Sequence, residues 1–103
     1  MSIHLIEAVR LDHAGKVEKV RWGRGRRKGN GSAGWELAAV EQDVDMVVDA
    51  LHFGDEVATA FMVGSDLVLG PRVHLVVPQH GIEEIDTLDR DVPGRSLTDL
   101  PRF

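Results

Sequence analysis

Residues 3–22 read IHLIEAVRLDHAGKVEKVRW, and this stretch sets the character of the fold. Residues 3–11 alternate as a strand does, and four apolar residues share one face, with Glu7 as the exception: Ile3, Leu5, Val9 and Leu11. Residues 12–15 have turn chemistry, because Asp accepts local backbone hydrogen bonds and Gly tolerates positive φ. Residues 16–22 alternate again. The stretch therefore predicts an antiparallel hairpin.

The segment that follows, residues 23–34, breaks the alternation. Five of its twelve residues are glycine, and Ala33 is its one apolar residue. Such a stretch buries too little apolar surface to offset the entropy of ordering it. We therefore expect a long, mobile Gly/Arg-rich loop. Residues 35–40 are apolar again and fit either a short strand or the approach to a helix.

One helix is predicted next. Its apolar stripe has the spacing i, i+3, i+4, i+7 and consists of Val44, Val47, Val48 and Leu51. Asp43 is placed to act as its N-cap, and Gly54 is placed just after its end. These signals predict a helix that begins after residue 43 and ends before residue 54.

Three strands are predicted after the helix, over residues 56–63, 73–77 and 82–88, with a turn at 78–81 between the last two. Residues 89–103 are predicted to be an irregular tail, because Pro93 and Pro101 prevent a long helix there. Leu97 and Leu100 can dock one short turn of this tail onto the body.

The order of elements is therefore β-β-loop-α-β-β-β within a single domain, residues 1–103. We predict an α+β fold: one mainly antiparallel sheet of about five strands, with one helix on one face. Residues 58–63 and 73–77 are apolar on both faces and need cover on both sides. The second face must be met by the tail, by residues 35–40 or by another chain, which motivates a homodimer hypothesis.

Composition excludes several classes of protein. The 103 residues include no cysteine, which excludes a disulfide scaffold, a thiolate zinc site, an iron–sulfur cluster and a cysteine nucleophile. No apolar run approaches the roughly 18–20 residues that cross a membrane. The first residues carry Glu7 within their apolar stretch and lack a basic leader, so they do not read as a secretory signal. We expect a soluble cytoplasmic protein without membrane contact.

Charge is distributed unevenly along the chain. Residues 1–35 carry a formal charge of +5 and residues 36–103 carry −10, within a net charge of −5. Five of the basic residues lie between positions 21 and 28. A basic segment on an acidic body suits a polyanion, an acidic protein partner, or the acidic face of a second copy.

The candidate site is this basic segment with the two tryptophans that bracket it: Arg21, Arg24, Arg26, Arg27, Lys28, Trp22 and Trp35. Arginine and lysine neutralise phosphates, and an exposed tryptophan stacks on a base. The Arg24-Gly25-Arg26 core is similar to the centre of minor-groove hooks, without the prolines that usually flank them. The alternatives are a solvated loop with both tryptophans in the core, and docking to an acidic protein.

No residue is nominated for catalysis, and no metal or cofactor is expected. The glycine-rich segment has neither the Walker spacing nor the dinucleotide pattern. The histidines lack metal-site spacing, and His80 with Glu83 or Glu84 is the nearest approach to a zinc or acid–base set. Serines 32, 65 and 96 have no nucleophile-elbow glycines around them.

The hairpin text Ile6-Glu7-Ala8-Val9-Arg10 and the return strand ending in Val20-Arg21-Trp22 resemble a family of small uncharacterised bacterial proteins of unknown function. Members carry an I-x-A-V-R strand, a return strand ending near V-R-W, one helix, a later hairpin and an L-x-x-L-P ending. Residues 97–101 are similar to that ending. The resemblance implies the fold and brings no activity with it.

Two functions are predicted from the sequence. The first is a small non-enzymatic interaction module that can self-associate. The second is a nucleic-acid or polyanion accessory protein that acts through residues 21–35.

Overall fold

The computed structural model describes residues 2–77, 81, 83–87 and 96–103. Its strands are β1 (Ser2–Leu11), β2 (Val17–Arg27), β3 (Ala33–Asp43), β4 (Val57–Val63), β5 (Asp66–Val76) and β6 (Glu84–Thr87). One α-helix, α1 (Val44–His52), joins β3 to β4, and short 3-10 turns occupy Gly29–Gly31 and Leu97–Asp99. The strands form one sheet in the order β3-β2-β1-β4-β5-β6.

The α+β class with one helix agrees with the prediction, but the sheet differs from it. The sheet has six strands rather than five, and it is mixed, because β1 pairs with β4 in parallel. Both β1 and β3 run antiparallel to β2, so β3 has the direction of β1. The crossover through α1 returns the chain in that same direction and delivers β4 to the free side of β1.

The prediction of a loop over residues 23–34 is wrong. Residues 23–27 complete β2, residues 33 and 34 begin β3, and only 28–32 form the connection. Gly25 is required here by close packing rather than by a need for conformational freedom. A Cβ at Gly25 would lie 2.4 Å from Leu5 Cδ1. The composition argument failed because the hydrogen-bonded ladder and the neighbouring core, not the segment's own side chains, order these residues.

A bulge in β1 also changes the predicted faces of the first strand. The register with β2 shifts between Ile6 and Ala8, so Glu7 is an extra residue. Ile3 and Leu5 consequently pack in one cluster, whereas Val9 joins Ile6 in the other. The placement of Ile3, Leu5 and Val9 on one face was therefore wrong, because strict alternation does not survive a bulge.

Two further register shifts bend β3. Trp22 pairs with Val40 and Arg24 with Leu37, so two residues of β3 lie opposite Gly23 alone. A second shift follows at once, because Gly25 pairs with Trp35. Bulges bend a strand and increase its twist. The chain just before β3 thereby reaches β5, because Ser32 forms an antiparallel bridge with Val68.

The sheet has an apolar cluster on each face. On the helix side, α1 and the 96–100 segment cover a cluster that contains Ile6, Val9, Val20, Trp22, Val47, Ala50, Val57, Val73, Ile85, Leu97 and Leu100. On the second face, Ala33 of β3 joins Ile3, Leu5, Ala58, Ala60 and Leu67, with Trp35 packed against them. Of the proposed covers for the second face, the segment that begins at residue 35 contributes. The tail contributes to both faces, because Leu97 and Leu100 pack on the helix side whereas Phe103 lies against Arg10 and Arg21 on the second face.

The remaining elements lie close to their predicted places. The helix is confirmed, with Asp43 at the N-cap position and Gly54 at φ +85°. The strand predicted at 73–77 begins earlier, because a bulge at Gly70 and Pro71 lets β5 continue through the proline. Positions 78–80, 82 and 88–95 lie outside the described residues, and with them His80, most of the predicted turn at 78–81 and part of the tail.

Candidate functional site

The basic segment forms part of a strand, and alternation distributes its side chains over two faces. Trp22, Arg24 and Arg26 point to the helix side, where Trp22 joins the apolar cluster. Arg21 and Arg27 point to the opposite face. The basic side chains of the strand are therefore divided between the two faces of the sheet and do not form one continuous basic surface.

Arg27 is bound within the molecule. Its guanidinium forms an ion pair with Glu56 Oε2, and Arg72 Nη2 lies 3.2 Å from Glu56 Oε1. We call these three residues the Glu56 clamp, which ties the end of β2 to the start of β4 and to β5. The hydrogen bond from Arg27 lowers the pKa of Glu56 from its ordinary value, partial burial opposes the shift, and the charges of Arg27 and Arg72 add to it.

Trp22 is not available to stack on a base, and Trp35 is only partly exposed. Trp22 is 8% exposed, and His4 stacks on it with ring centroids 4.5 Å apart and an interplanar angle of 20°. His4 Nε2 also lies 3.4 Å from Asp55 Oδ2. Trp35 is half-buried against the second-face cluster. Of the alternative that combined a solvated loop with both tryptophans in the core, only the burial of Trp22 is observed in full, since Trp35 is partly buried and residues 23–27 form a strand.

The other basic residues of the segment differ in their surroundings. Arg21 lies over the ring of Phe103 at 5.8 Å, and the Lys28 chain crosses Gly34, where a Cβ would lie 2.8 Å from Lys28 Cε. Arg24 and Arg26 are exposed, and neither forms an ion pair with any of the described residues. All five basic residues of the segment are exposed, and Arg24 and Arg26 are the two that alternation places on the helix side.

Beside them lies an exposed apolar surface, which we call the helix-side patch: Leu37, Val40, Met46 and Phe53. These side chains are 60%, 53%, 46% and 86% exposed, respectively. Val40 and Leu37 pair with Trp22 and Arg24, which places both on the helix side of β3. Residues three apart alternate faces in a regular strand, and the bulge between them removes that alternation.

The helix contributes the other half of the patch. One flank of α1 faces β6, where His52 Nε2 lies 2.6 Å from Glu83 Oε2. Met46 and Phe53 are seven residues apart and share a stripe on the other flank. Because β6 and β3 are the two edges of the sheet, that flank faces β2 and β3.

The charged residues near the helix-side patch are basic at one end, and the nearby acidic residues lie on other faces. Arg24 and Arg26 lie near the end of β2, beside the start of β3. Asp43 and Asp45 are exposed where β3 passes into α1, but neither belongs to the patch. Asp43 pairs with Lys19 on the sheet face opposite Val20, and Asp45 shares the β6-facing flank of α1 with His52. Asp43 Oδ1 is 3.9 Å from Lys19 Nζ, which is closer to Glu41 at 3.3 Å.

Sequence reasoning identified Arg24 and Arg26 but missed the apolar half of the surface. Leu37 and Val40 give no periodic signal for a shared strand face, and Met46 lies off the predicted helix stripe. Phe53 could have been identified from the sequence as an exposed apolar residue, because it is large and lies between the helix and the glycine that follows it. Among the described residues, no group of three or more metal-ligating side chains is close enough to hold an ion.

Comparison with known proteins identifies no relative, since no protein-family model, curated protein or solved structure matches the chain. The likeness of residues 6–22 and 97–101 to a small bacterial family therefore stays a prediction. None of the helices among the described residues has the length and apolar character that crossing a membrane requires.

Proposed function

We propose that this chain is a small, non-enzymatic interaction module and that it associates with a second copy through the helix-side patch. The observation that carries the proposal is the exposure of Leu37, Val40, Met46 and Phe53 on one side of the molecule. They are four of the eight large apolar residues found exposed in the described part of the chain. Grouped apolar exposure marks interaction surfaces, whereas isolated exposed apolar residues are ordinary.

Association through side chains suits this surface better than pairing of strand edges. β3 is an edge strand, but its two bulges interrupt the regular ladder that an added strand needs. At the other edge, the four-residue β6 is short and carries Glu84 and Asp86. Short, charged edge strands resist pairing. A partner is therefore expected on the face formed by α1 and β3.

Light scattering after size exclusion, at micromolar concentration, tests the proposal. The expected mass is twice the 11.3 kDa of one chain. A Leu37→Ser, Val40→Ser variant should be monomeric, because it removes apolar area from the interface. The matched control is Met62→Ser, Val63→Ser, which changes two exposed apolar residues of the β4–β5 hairpin and should remain a dimer. A wild-type protein that is monomeric throughout contradicts the proposal.

Binding to a nucleic acid or another polyanion is the second candidate function. It is supported by Arg24 and Arg26, which are exposed and have no acidic partner among the described residues. It is weakened by the engagement of Arg27 with Glu56 and by the burial of Trp22. Gel-shift assays with labelled DNA and RNA at low salt test it. Absence of any shift refutes it, and binding that survives Arg24→Ala, Arg26→Ala refutes the assignment of the site.

A further inference from the structure

We infer that the Glu56 clamp forms one wall of a binding cavity for a small organic anion, a molecule with a carboxylate or phosphate head and an apolar body. The cavity has a volume of about 570 Å³ and lies where the ends of β2 and α1 meet β4 and β5. Sites for small molecules usually measure about 300–1,000 Å³. The inference is independent of the proposed self-association and goes beyond it.

Two guanidinium groups and one carboxylate make up the clamp. Arg27 pairs with Oε2 of Glu56, and Arg72 Nη2 lies 3.2 Å from Oε1 of the same carboxylate. Because one carboxylate neutralises only one of the two cations, the clamp keeps a positive charge in excess. All three side chains line the cavity, so this excess charge is presented to whatever occupies it. An anion is the occupant that such a wall attracts.

The two arginines lie on the solvent side of the carboxylate. The side chains of Arg27 and Arg72 are 47% and 61% exposed, whereas that of Glu56 is 29% exposed. Oε2 of Glu56 is shielded from solvent altogether. A guanidinium has five N–H donors in a planar fork, and one carboxylate oxygen occupies only part of that fork. The remaining donors are open to a second oxyanion, which arginine binds strongly and in a defined geometry.

Glu56 also holds the two guanidinium groups in place before a ligand arrives. Long side chains lose conformational freedom when they bind, and ordering them costs free energy. An arginine that is already fixed by an ion pair loses less of that freedom. The clamp therefore acts as a preorganised receptor for the anionic head, and this is a role for Glu56 besides its contribution to stability.

Apolar side chains line the rest of the cavity and favour an organic ligand over a bare inorganic ion. Val57 and Val73 belong to the helix-side cluster, and Leu51 packs against it. Gly54 also lines the cavity, and no atom lies within 4 Å of the position that a Cβ would take there. An apolar lining with a few charged groups that orient the ligand is the usual composition of a small-molecule site.

The neighbouring charged groups leave the balance positive. Asp55 lines the cavity as well, but its Oδ2 lies 3.4 Å from Nε2 of His4. Asp55 is shared with a smaller adjacent cavity that Arg24 lines. Across the two cavities, three arginines are accompanied by two carboxylates, and His74 completes the polar lining.

Titration of the wild-type protein with phenyl phosphate and, separately, with phenylacetate tests the inference, and benzyl alcohol is the uncharged control. Amide chemical shifts measured by NMR should change at Leu51, Val57 and Val73. Binding of either anion at these residues supports the inference, and the tighter of the two identifies the head group. Benzyl alcohol should bind at least about tenfold more weakly, because it cannot pair with a guanidinium. Inorganic phosphate should also bind more weakly than phenyl phosphate, because it buries no apolar surface.

Arg72→Gln tests the assignment of the site and should weaken the tighter anion by about tenfold or more. Arg21→Gln is the matched control, because it removes the same charge from a residue that lies over Phe103, away from the cavity. It should leave the dissociation constant unchanged. Urea unfolding checks that both variants fold, as expected for substitutions at exposed positions.

Four results would overturn the inference. They are the absence of binding by both anions at millimolar concentration, shifts confined to residues away from the cavity, equal binding of benzyl alcohol and the anions, and equal affinity in Arg72→Gln and Arg21→Gln. The first three are measured on the wild-type protein and do not depend on the folding of a variant. Each of them leaves the proposed self-association standing, and a monomeric wild type leaves the anion site standing.

Discussion

Arg27, the last residue of β2, forms an ion pair with Glu56, the residue just before β4. These residues lie at the ends of the two strands that flank β1, so the ion pair spans β1 across the sheet. The bridge between Ser32, just before β3, and Val68 of β5 joins segments separated by β2, β1 and β4 in the sheet order, so the sheet curls here. The segment that composition marks as mobile is therefore fastened at its end by a charged contact.

Glu56→Gln should lower the free energy of unfolding by about 1 kcal/mol at pH 7, because it removes the charge that Arg27 and Arg72 share. The pKa of Glu56 is lowered in the folded protein, chiefly by the hydrogen bond from Arg27, from an ordinary value of 4.5. Its stabilising contribution is thus complete above that value and is lost as the pH falls through the folded pKa. Urea unfolding of both proteins from pH 7 to pH 3 measures this difference.

The difference in the free energy of unfolding between wild type and Glu56→Gln should shrink as the pH falls. Glu18→Gln is the control, since Glu18 is exposed and forms no ion pair with the described residues, and it should leave stability unchanged across the range. A gap that stays constant with pH would show that Glu56 contributes by packing rather than by charge.

Gly25→Ala should destabilise the protein by about 1–3 kcal/mol, as overpacking does. The new methyl group would lie 2.4 Å from Leu5 Cδ1 and 2.7 Å from the carbonyl oxygen of Gly34. Gly29→Ala is the matched control, because no atom lies within 4 Å of its Cβ position, and we expect a change within about 0.5 kcal/mol. Chemical denaturation compares them, and equal stabilities would return residues 23–27 to the loop that composition suggests.

Leu97→Ala should cost about 2–5 kcal/mol, the usual range for a leucine truncated in a core. Leu97 is 1% exposed, and its backbone N–H donates to Thr87 Oγ1 at 2.9 Å. Thr98→Ala changes an exposed residue of the same turn and should change stability by less than about 0.5 kcal/mol. Thermal unfolding of the three proteins makes the comparison, and a small effect of Leu97→Ala would place the tail outside the core.

Salt should weaken the proposed dimer only moderately, because the apolar centre of the interface is insensitive to screening. Raising the salt from about 0.05 M to 0.5 M shortens the Debye length and screens the charges beside the patch, Arg24 and Arg26 among them. Sedimentation equilibrium at several salt concentrations measures the change. A steep linear fall of log affinity with log salt is instead the behaviour of polyanion binding, and its appearance in self-association would leave the apolar patch without a role.

The local elements were largely predictable, because their signals lie in neighbouring residues. The stripe of Val44, Val47 and Leu51 identified α1, and alternation identified much of β1 and β2. Leu97 and Leu100 were predicted to dock, and both are buried. Arg24 and Arg26 were identified as exposed basic residues. Their apolar neighbours were not, because Leu37 and Val40 share a face only through a bulge.

The sequence by itself determined the α+β class, the position of the helix and the separation of charge, since these follow from periodicity and composition. Tertiary structure decided which faces the residues occupy and where the strands pair. The bulge at Glu7 places Val9 in the helix-side cluster. Gly25 lies in a strand, where the absence of a side chain leaves room for Leu5. Pairing energy and close packing come from residues distant in the chain, and no local pattern reports them.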